Sequence, residues 1–336
     1  MGSEPEAEIS QLITGEQLER SGNLNGALWA YFESVTGAQL GGYWLDEDST
    51  PDEHFGLIVH AIEKIRSHKK DIFYHSYEDL RVKYGSKSME RVDKALAGHL
   101  REIDCRPQDA RQKPRFFYFP DLPNTTFHDP LLHPWALGLQ NAFPTIRGEA
   151  LNVWDEDKKF QNFLDLSDRT SISDYVRGDG TSPAWEAYFF YRHGRRFDEN
   201  HKRCPKTSEI LDTLDLCRIA DQAPEICFSV LKPGTHLLPH HGVTNIRLVM
   251  HLPLVVPDQC ALHLTGEQEH RWKEGNTVMF DDTFQHEAWN RSEQSRIVLL
   301  MDCWNPHLTR IERMAVKKLL ETISTLNLAN RARPKN

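Results

Sequence analysis

Five histidines sit at the edges of candidate strands: His236, His240 and His241 in PGTHLLPHHG, His251 in RLVMHLPL, and His286 in FDDTFQHEAWN. Neutral imidazole offers a lone pair at physiological pH without a charge to desolvate, so it is a ready metal ligand. His240 in an H-x-G turn and His286 after an FDD turn suit one metal held from neighbouring strands. The mononuclear iron pattern has two His and one carboxylate, typically H-x-[DE] and a distant His, with positions left open for O₂ and a co-substrate. Here Gly242 stands where the carboxylate is expected, so a site at His240 and His286 has two protein ligands. His236 shares strand parity with His240 and is a candidate third ligand of a zinc or manganese site, whereas His241 tends to face away. Asp281 and Asp282 are read more simply as a turn, and Asp302 as a buried structural carboxylate in need of a partner.

Ten residues past His286, Arg296 opens the apolar strand SRIVLLMDCW, and its guanidinium is suited to clamp a carboxylate bidentately. His251 and Ser229 are candidate hydrogen-bond partners of the same acid. Strand alternation puts Arg247, Val249 and His251 on one face, so a metal, an anion clamp and a spare cation come to share one interior.

The elements that must position these residues are short, regularly spaced strands from Ile226 onward: ICFSVLKP, NIRLVMHLPLVV, CALHLT, NTVMFDD, HEAWN and SRIVLLMDCW. Gly, Pro, Asn and Asp turns separate them, which predicts a sandwich or barrel. The first hundred residues instead carry helical periodicity. Leu18, Gly22, Ala27 and Tyr31 resemble half of a tetratricopeptide unit, Ile58, Ala61, Ile62 and Ile65 form a stripe, and Met89, Val92, Leu96 and Leu100 form another. A single repeat-like unit favours a helical cap over a solenoid. The polar run CRPQDARQKPR is the expected boundary, a helix is expected from about Pro134 to Val153, and Thr309 to Leu328 reads as a C-terminal helix with a Thr309-x-x-Glu312 capping box. The expected organisation is therefore an α+β chain: a helical region 1–110, a β domain 111–310, and a C-terminal helix and tail 311–336.

Composition narrows the function. The 336 residues hold 40 Lys+Arg against 49 Asp+Glu, a net −9 with no basic block to track a phosphate backbone, so nucleic acid is not an expected partner. No uncharged apolar run approaches the length of a membrane helix, and no membrane partner is expected. Six scattered cysteines without a CxxC pair, and a first segment MGSEPEAEIS without an apolar core, predict free thiols in a cytoplasmic protein. The oligomeric state is left open.

The run FSVLKPGTHLLPHHGVTNIRLVMHLPLVVP followed by WKEGNTVMFDDTFQHEAWNRSEQSRIVLLMDCWNP resembles the aspartyl/asparaginyl β-hydroxylase family. So do YFPDLP, WEAYFFYRHGRR and the Cys204-Pro-Lys-Thr run, and the resemblance extends over about residues 115–310. It implies a double-stranded β-helix and an Fe(II)/2-oxoglutarate-dependent dioxygenase. The implied reaction converts 2-oxoglutarate and O₂ to succinate and CO₂ while hydroxylating an unactivated C–H. In that family the missing carboxylate is a known trait, so Gly242 supports the match. By motif, His240 and His286 would be the iron ligands, and Arg296 would pair with the far carboxylate of 2-oxoglutarate, assisted by His251 and Ser229.

The chain departs from the family on the substrate side. Val249 replaces the second arginine of R-L-R-M-H, and Ala187 replaces the glutamine of a W-S-Q stretch, two changes that weaken discrimination for an aspartyl side chain. Arg247 and Arg177 are the remaining candidates to neutralise a substrate carboxylate. The implied substrate is an Asp/Asn-like residue of a peptide or protein, or a related small molecule. The wider family includes a lipid A acyl-chain hydroxylase, so the architecture alone does not fix the substrate. Two rival functions on the same fold are a cupin-like zinc or manganese enzyme and a non-catalytic binding protein.

Overall fold

The computed structural model describes residues 5–46, 49–156, 160–164, 175–178 and 185–331. Parts of the loop SDYVRGDGTSPAW around Arg177, and the expected tail beyond residue 331, lie outside the described residues. Contacts divide the chain into two compact units, Met1–Leu96 with Arg310–Asn336, and Ala97–Thr309.

The first unit is helical: α1 (Glu6–Arg20), α2 (Leu24–Leu40), α3 (Phe55–Ser67), α4 (Lys69–His75), α5 (Glu78–Tyr84) and α6 (Glu90–His99). The Asn23 side chain accepts the Gly26 N–H and caps α2. The predicted stripes are the buried faces: Ile58, Ala61 and Ile65 on α3, then Met89, Val92 and Leu96 at and within α6. The C-terminal helix (Arg310–Arg331) belongs to this unit, although the sequence suggests a third segment. It buries Ala315, Leu319, Leu320 and Ile323, packs on α2, α4 and α5, and accepts both arms of Arg91 on Glu312 at 2.7 and 2.8 Å.

The second unit carries twelve strands among the described residues: β1 (Phe127–His128), β2 (Gln161–Asn162), β3 (Val176–Gly178), β4 (Trp185–Arg192), β5 (Arg195–Arg196), β6 (Ile226–Leu231), β7 (Thr235–His240), β8 (Arg247–Val255), β9 (Cys260–Leu264), β10 (Val278–Phe280), β11 (His286–Asn290) and β12 (Arg296–Trp304). One sheet runs β1-β10-β8-β12-β6-β4-β2, with β5 on β4, and the other runs β3-β7-β11-β9. All pairings are antiparallel, and the two sheets form the double-stranded β-helix. Side-chain alternation divides the core in two. Leu248, Met250, Leu252 and Leu254 of β8, with Ile297, Leu299 and Met301 of β12, belong to a layer that includes α8 (Phe143–Glu156) and α10 (Pro205–Asp212). Val249, Val298 and Leu300 face the other way, in a cluster with Leu237, Leu262 and Ala288 of the smaller sheet.

Two expectations are corrected locally. The helix from Pro134 to Val153 is two helices, α7 (Ala136–Asn141) and α8, because Pro144 lacks an N–H and is accommodated in the first turn of a new helix. With α9 (Asp198–Arg203) before α10, the C-terminal helix is α11. The run 105–115, the expected boundary, falls inside the second unit, which begins at Ala97. Lys113 and Arg115 donate backbone N–H groups to the carbonyls of Thr283 and Gly242, and the Gln112 amide donates to Asp281 at 2.8 Å, so the segment is stitched to the rim of the β unit.

Candidate active site

The interior between the sheets holds a cavity of about 360 Å³ lined by His240, His251, His286, Arg247, Arg296, Ser229 and Asp282, among others. It draws side chains from β6, β7, β8, β11 and β12, which is why their sequence separations are large. His240 and His286 are register partners on β7 and β11, with ring centroids 4.1 Å apart. The Nδ1 of His240 faces the Leu238 carbonyl at 2.8 Å and that of His286 faces the Phe284 carbonyl at 3.0 Å. A carbonyl can only accept, so each Nδ1 carries the proton and each Nε2 keeps its lone pair. Burial holds both rings at about 4, far below the usual imidazole range, with the neighbouring His286 adding to the effect on His240. Both imidazoles are therefore neutral at pH 7, the form that ligates a metal.

A Cβ added at Gly242 would fall inside the Asp282 carboxyl. The space that an H-x-[DE] side chain needs is filled by a carboxylate from the turn before β11, and Asp282 Oδ1 is buried without a hydrogen-bond partner among the described residues. The FDD turn thus divides its work. Asp281 accepts the Thr283 N–H at 2.9 Å and the Gln112 amide, while Asp282 faces the cavity, a role the sequence reading passed over. Among the described residues no cluster of three or more His, Cys, Asp and Glu forms a ready metal cage, so the site rests on the His240–His286 pair.

At the inner end Arg296 is 2% exposed, and its Nε and Nη1 find no acceptor among the described residues. Burial lowers its guanidinium to about 10, still charged at neutral pH. His251 is buried with both ring nitrogens unpartnered among the described residues, and burial followed by the Arg296 charge pushes it well below the usual range. Ser229 Oγ accepts the Trp185 indole N–H at 2.9 Å, which leaves the hydroxyl hydrogen free to donate. Buried cations and donors without acceptors are costly, and together they describe a receptor for an anion rich in acceptor oxygens.

The substrate-side candidates fare differently. Arg247, Val249 and His251 all line the cavity, as alternation requires. The Arg247 guanidinium, however, is ion-paired to Asp302, with Asp282 Oδ2 at 3.8 Å. Asp302 also accepts the Glu225 N–H at 2.8 Å, so its missing partner is Arg247. Arg177 is corrected. It pairs in register with His236, beside Val176, which pairs with the cavity-facing Leu237, so Arg177 lies exposed on the outer face. His236 is on that outer face too, with its Nε2 2.7 Å from Glu287. A β-bulge explains this: between His240 and Leu237, β7 carries one residue more than β11 does between His286 and Ala288, which inverts the parity linking His236 to His240. The cavity also gains Trp272, Phe163, Tyr175 and Arg115, which strand patterns do not reveal because they sit outside the inner strands.

Residues 140–306 match the Aspartyl/Asparaginyl beta-hydroxylase family. The chain is similar to Aspartate beta-hydroxylase domain-containing protein 2 of Homo sapiens and Mus musculus. Identity is 31% over 248 residues in each case, covering 72% of this chain and 64% and 68% of the respective relatives. It is 32% identical to the Ornithine lipid ester-linked acyl 2-hydroxylase of Rhizobium tropici, covering 55% of this chain and 62% of that one. With the human Aspartyl/asparaginyl beta-hydroxylase it shares 34% identity over 53% of this chain and 22% of that protein. The chain thus spans just under two thirds of the human and Xenopus tropicalis domain-containing proteins it matches. No helix among the described residues is long and apolar enough to cross a membrane.

Proposed function

The chain belongs to the aspartyl/asparaginyl β-hydroxylase family, a family of hydroxylating enzymes, and from that premise we propose that it is an Fe(II)/2-oxoglutarate-dependent dioxygenase. Its substrate on this reading is an unactivated C–H of an Asp/Asn-like residue in a peptide or protein, or of a related small molecule. The observation that carries the proposal is one cavity holding two neutral, adjacent imidazoles and a buried arginine whose Nε and Nη1 find no acceptor among the described residues. The donor set fits the groups the reaction needs. Neutral His240 and His286 would hold the metal through Nε2, and their Nδ1–carbonyl bonds fix ring orientation. Bound there, the iron would couple O₂ and 2-oxoglutarate to C–H hydroxylation, with succinate and CO₂ released.

The remaining steps belong to the protein. Arg296 neutralises the far carboxylate of the 2-oxo acid, and Ser229, its oxygen occupied by Trp185, turns its hydroxyl hydrogen toward that same anion. His251 stands between this end and the ligand pair, with its ring T-shaped against Phe280, which in turn packs on His286. Phe163 stacks on Trp185 at 3.8 Å, and with Tyr175, Leu237 and Val249 this wall excludes water and accepts the hydrocarbon part of a substrate. Arg247, compensated by Asp302, contributes a polar contact with little free charge.

The test is succinate formation from 2-oxoglutarate by the full chain with iron and O₂. His240→Ala and His286→Ala should abolish it, Arg296→Ala should chiefly raise the 2-oxoglutarate requirement, and His236→Ala should leave both metal and turnover in place. No succinate across a broad substrate panel would sink the oxygenase reading. A metal lost with His236→Ala and kept with His286→Ala would restore the zinc or manganese alternative.

A further inference from the structure

We propose that Trp272 belongs to the acid-binding end of the cavity, with its indole N–H donating to the far carboxylate of 2-oxoglutarate and its ring seating Arg296. The proposal rests on the co-substrate reading above and adds a residue to it. Trp272 lies between β9 and β10, is 6% exposed, and lines the same cavity as Arg296, Ser229 and His251. The Arg296 guanidinium carbon stands 5.0 Å from the centre of its ring, and the His251 ring is 5.9 Å away. That is the range of a cation–π contact, and it fixes a long side chain that otherwise has four flexible torsions.

The indole nitrogen carries the argument further. Trp272 Nε1 is buried and has no hydrogen-bond partner among the described residues, the same condition as Nε and Nη1 of Arg296. An indole N–H can only donate, and native proteins nearly always satisfy a buried donor. Trp185, the other indole against this end, shows the contrast, since its N–H is spent on Ser229. A carboxylate offers two oxygens with about four acceptor positions. Arg296, the Ser229 hydroxyl, Trp272 and one N–H of His251 can meet those positions with donors. Such an end accepts a carboxylate and rejects a methyl group, which would leave every donor buried and unpaired.

Equilibrium binding of 2-oxoglutarate to the full chain, measured by calorimetry without oxygen, tests this apart from turnover. The comparison ligand is 2-oxopentanoate, which keeps the 2-oxo acid and replaces the far carboxylate with a methyl group. Trp272→Phe keeps a ring and removes the N–H, so it should weaken 2-oxoglutarate about tenfold, the loss of one charge-assisted hydrogen bond, and leave 2-oxopentanoate unchanged. Equal weakening of both ligands, or of neither, would overturn the proposal. Arg296→Ala separates the two levels: if it leaves 2-oxoglutarate binding untouched, the co-substrate reading itself fails. If it weakens binding while Trp272→Phe does not, only the role of Trp272 falls. Should the Phe variant not fold, the wild-type chain supplies the measurement through its eight indole N–H resonances. One of them must shift downfield with 2-oxoglutarate and stay in place with 2-oxopentanoate, and the absence of such a shift refutes the proposal.

Discussion

Replacing Arg247 by methionine should cost the protein stability before it says anything about substrate. The side chains of Arg247 and Asp302 are 12% and 1% exposed, and Asp282 Oδ2 lies 3.8 Å from the same guanidinium nitrogen. One cation therefore compensates two buried carboxylates, and removing one partner of a buried pair typically costs about 3–5 kcal/mol. The loss depends on pH in a defined direction. Burial pushes the Asp302 carboxyl up to about 7 even while Arg247 pulls it down. Without the arginine it keeps its proton to higher pH, so above the ordinary carboxylate range of about 4 the native variant binds more protons than the unfolded chain. Its stability then falls as pH rises, by up to about 1.4 kcal/mol per pH unit for one proton. Urea unfolding near pH 6 and near pH 8 reads this directly. Arg247→Met should lose most at the higher pH, and the double variant Arg247→Met/Asp302→Leu should recover much of the loss, since an apolar pair of similar volume replaces the ions. Wild-type unfolding of Arg247→Met at both pH values would refute the reasoning and return Arg247 to the role of a free substrate contact.

Two further outcomes follow from the geometry. Gly242→Ala places a methyl inside the Asp282 carboxyl and must displace it, so metal affinity measured by titration should fall about tenfold or more, and an unchanged affinity would mean that Asp282 does not support the site. His128, buried beside His307, is held by burial at about 4 against an ordinary 6.5, so the unfolded state takes up its proton first as pH falls. Stability should therefore drop between pH 6.5 and about 4 by up to about 3 kcal/mol, and His128→Gln should flatten that part of the stability–pH curve. Parallel curves for the two proteins would exclude His128 as the cause.

Much of the β unit can be read from the chain because its information is local. The runs ICFSVL, RLVMHLPLV, CALHL, VMF, HEAWN and RIVLLMDCW are strands at or near their expected bounds, since period-2 burial leaves its mark residue by residue. The same alternation correctly puts Arg247, Val249 and His251 on the cavity side. Helical stripes on α3 and α6 were visible for the same reason, whereas Pro144 marked a break that the periodicity alone passed over.

The failures share a different cause. Residue counting puts His236 on the face of His240, and one extra residue on β7 reverses the count. Arg177 is a candidate to neutralise a substrate carboxylate by residue type, and its register with His236 turns it outward. Asp302 asked for a partner that only the pairing of β12 with β8 supplies, and Asp282 looked like a turn residue until β7 brought Gly242 against it. By itself the sequence determined the strands β6, β8, β9, β10, β11 and β12, which residue types could meet a metal and an acid, and to which family they belong. The tertiary structure decided which of those residues meet, because register, bulges and buried charge compensation are properties of pairs of strands, and no single strand encodes them.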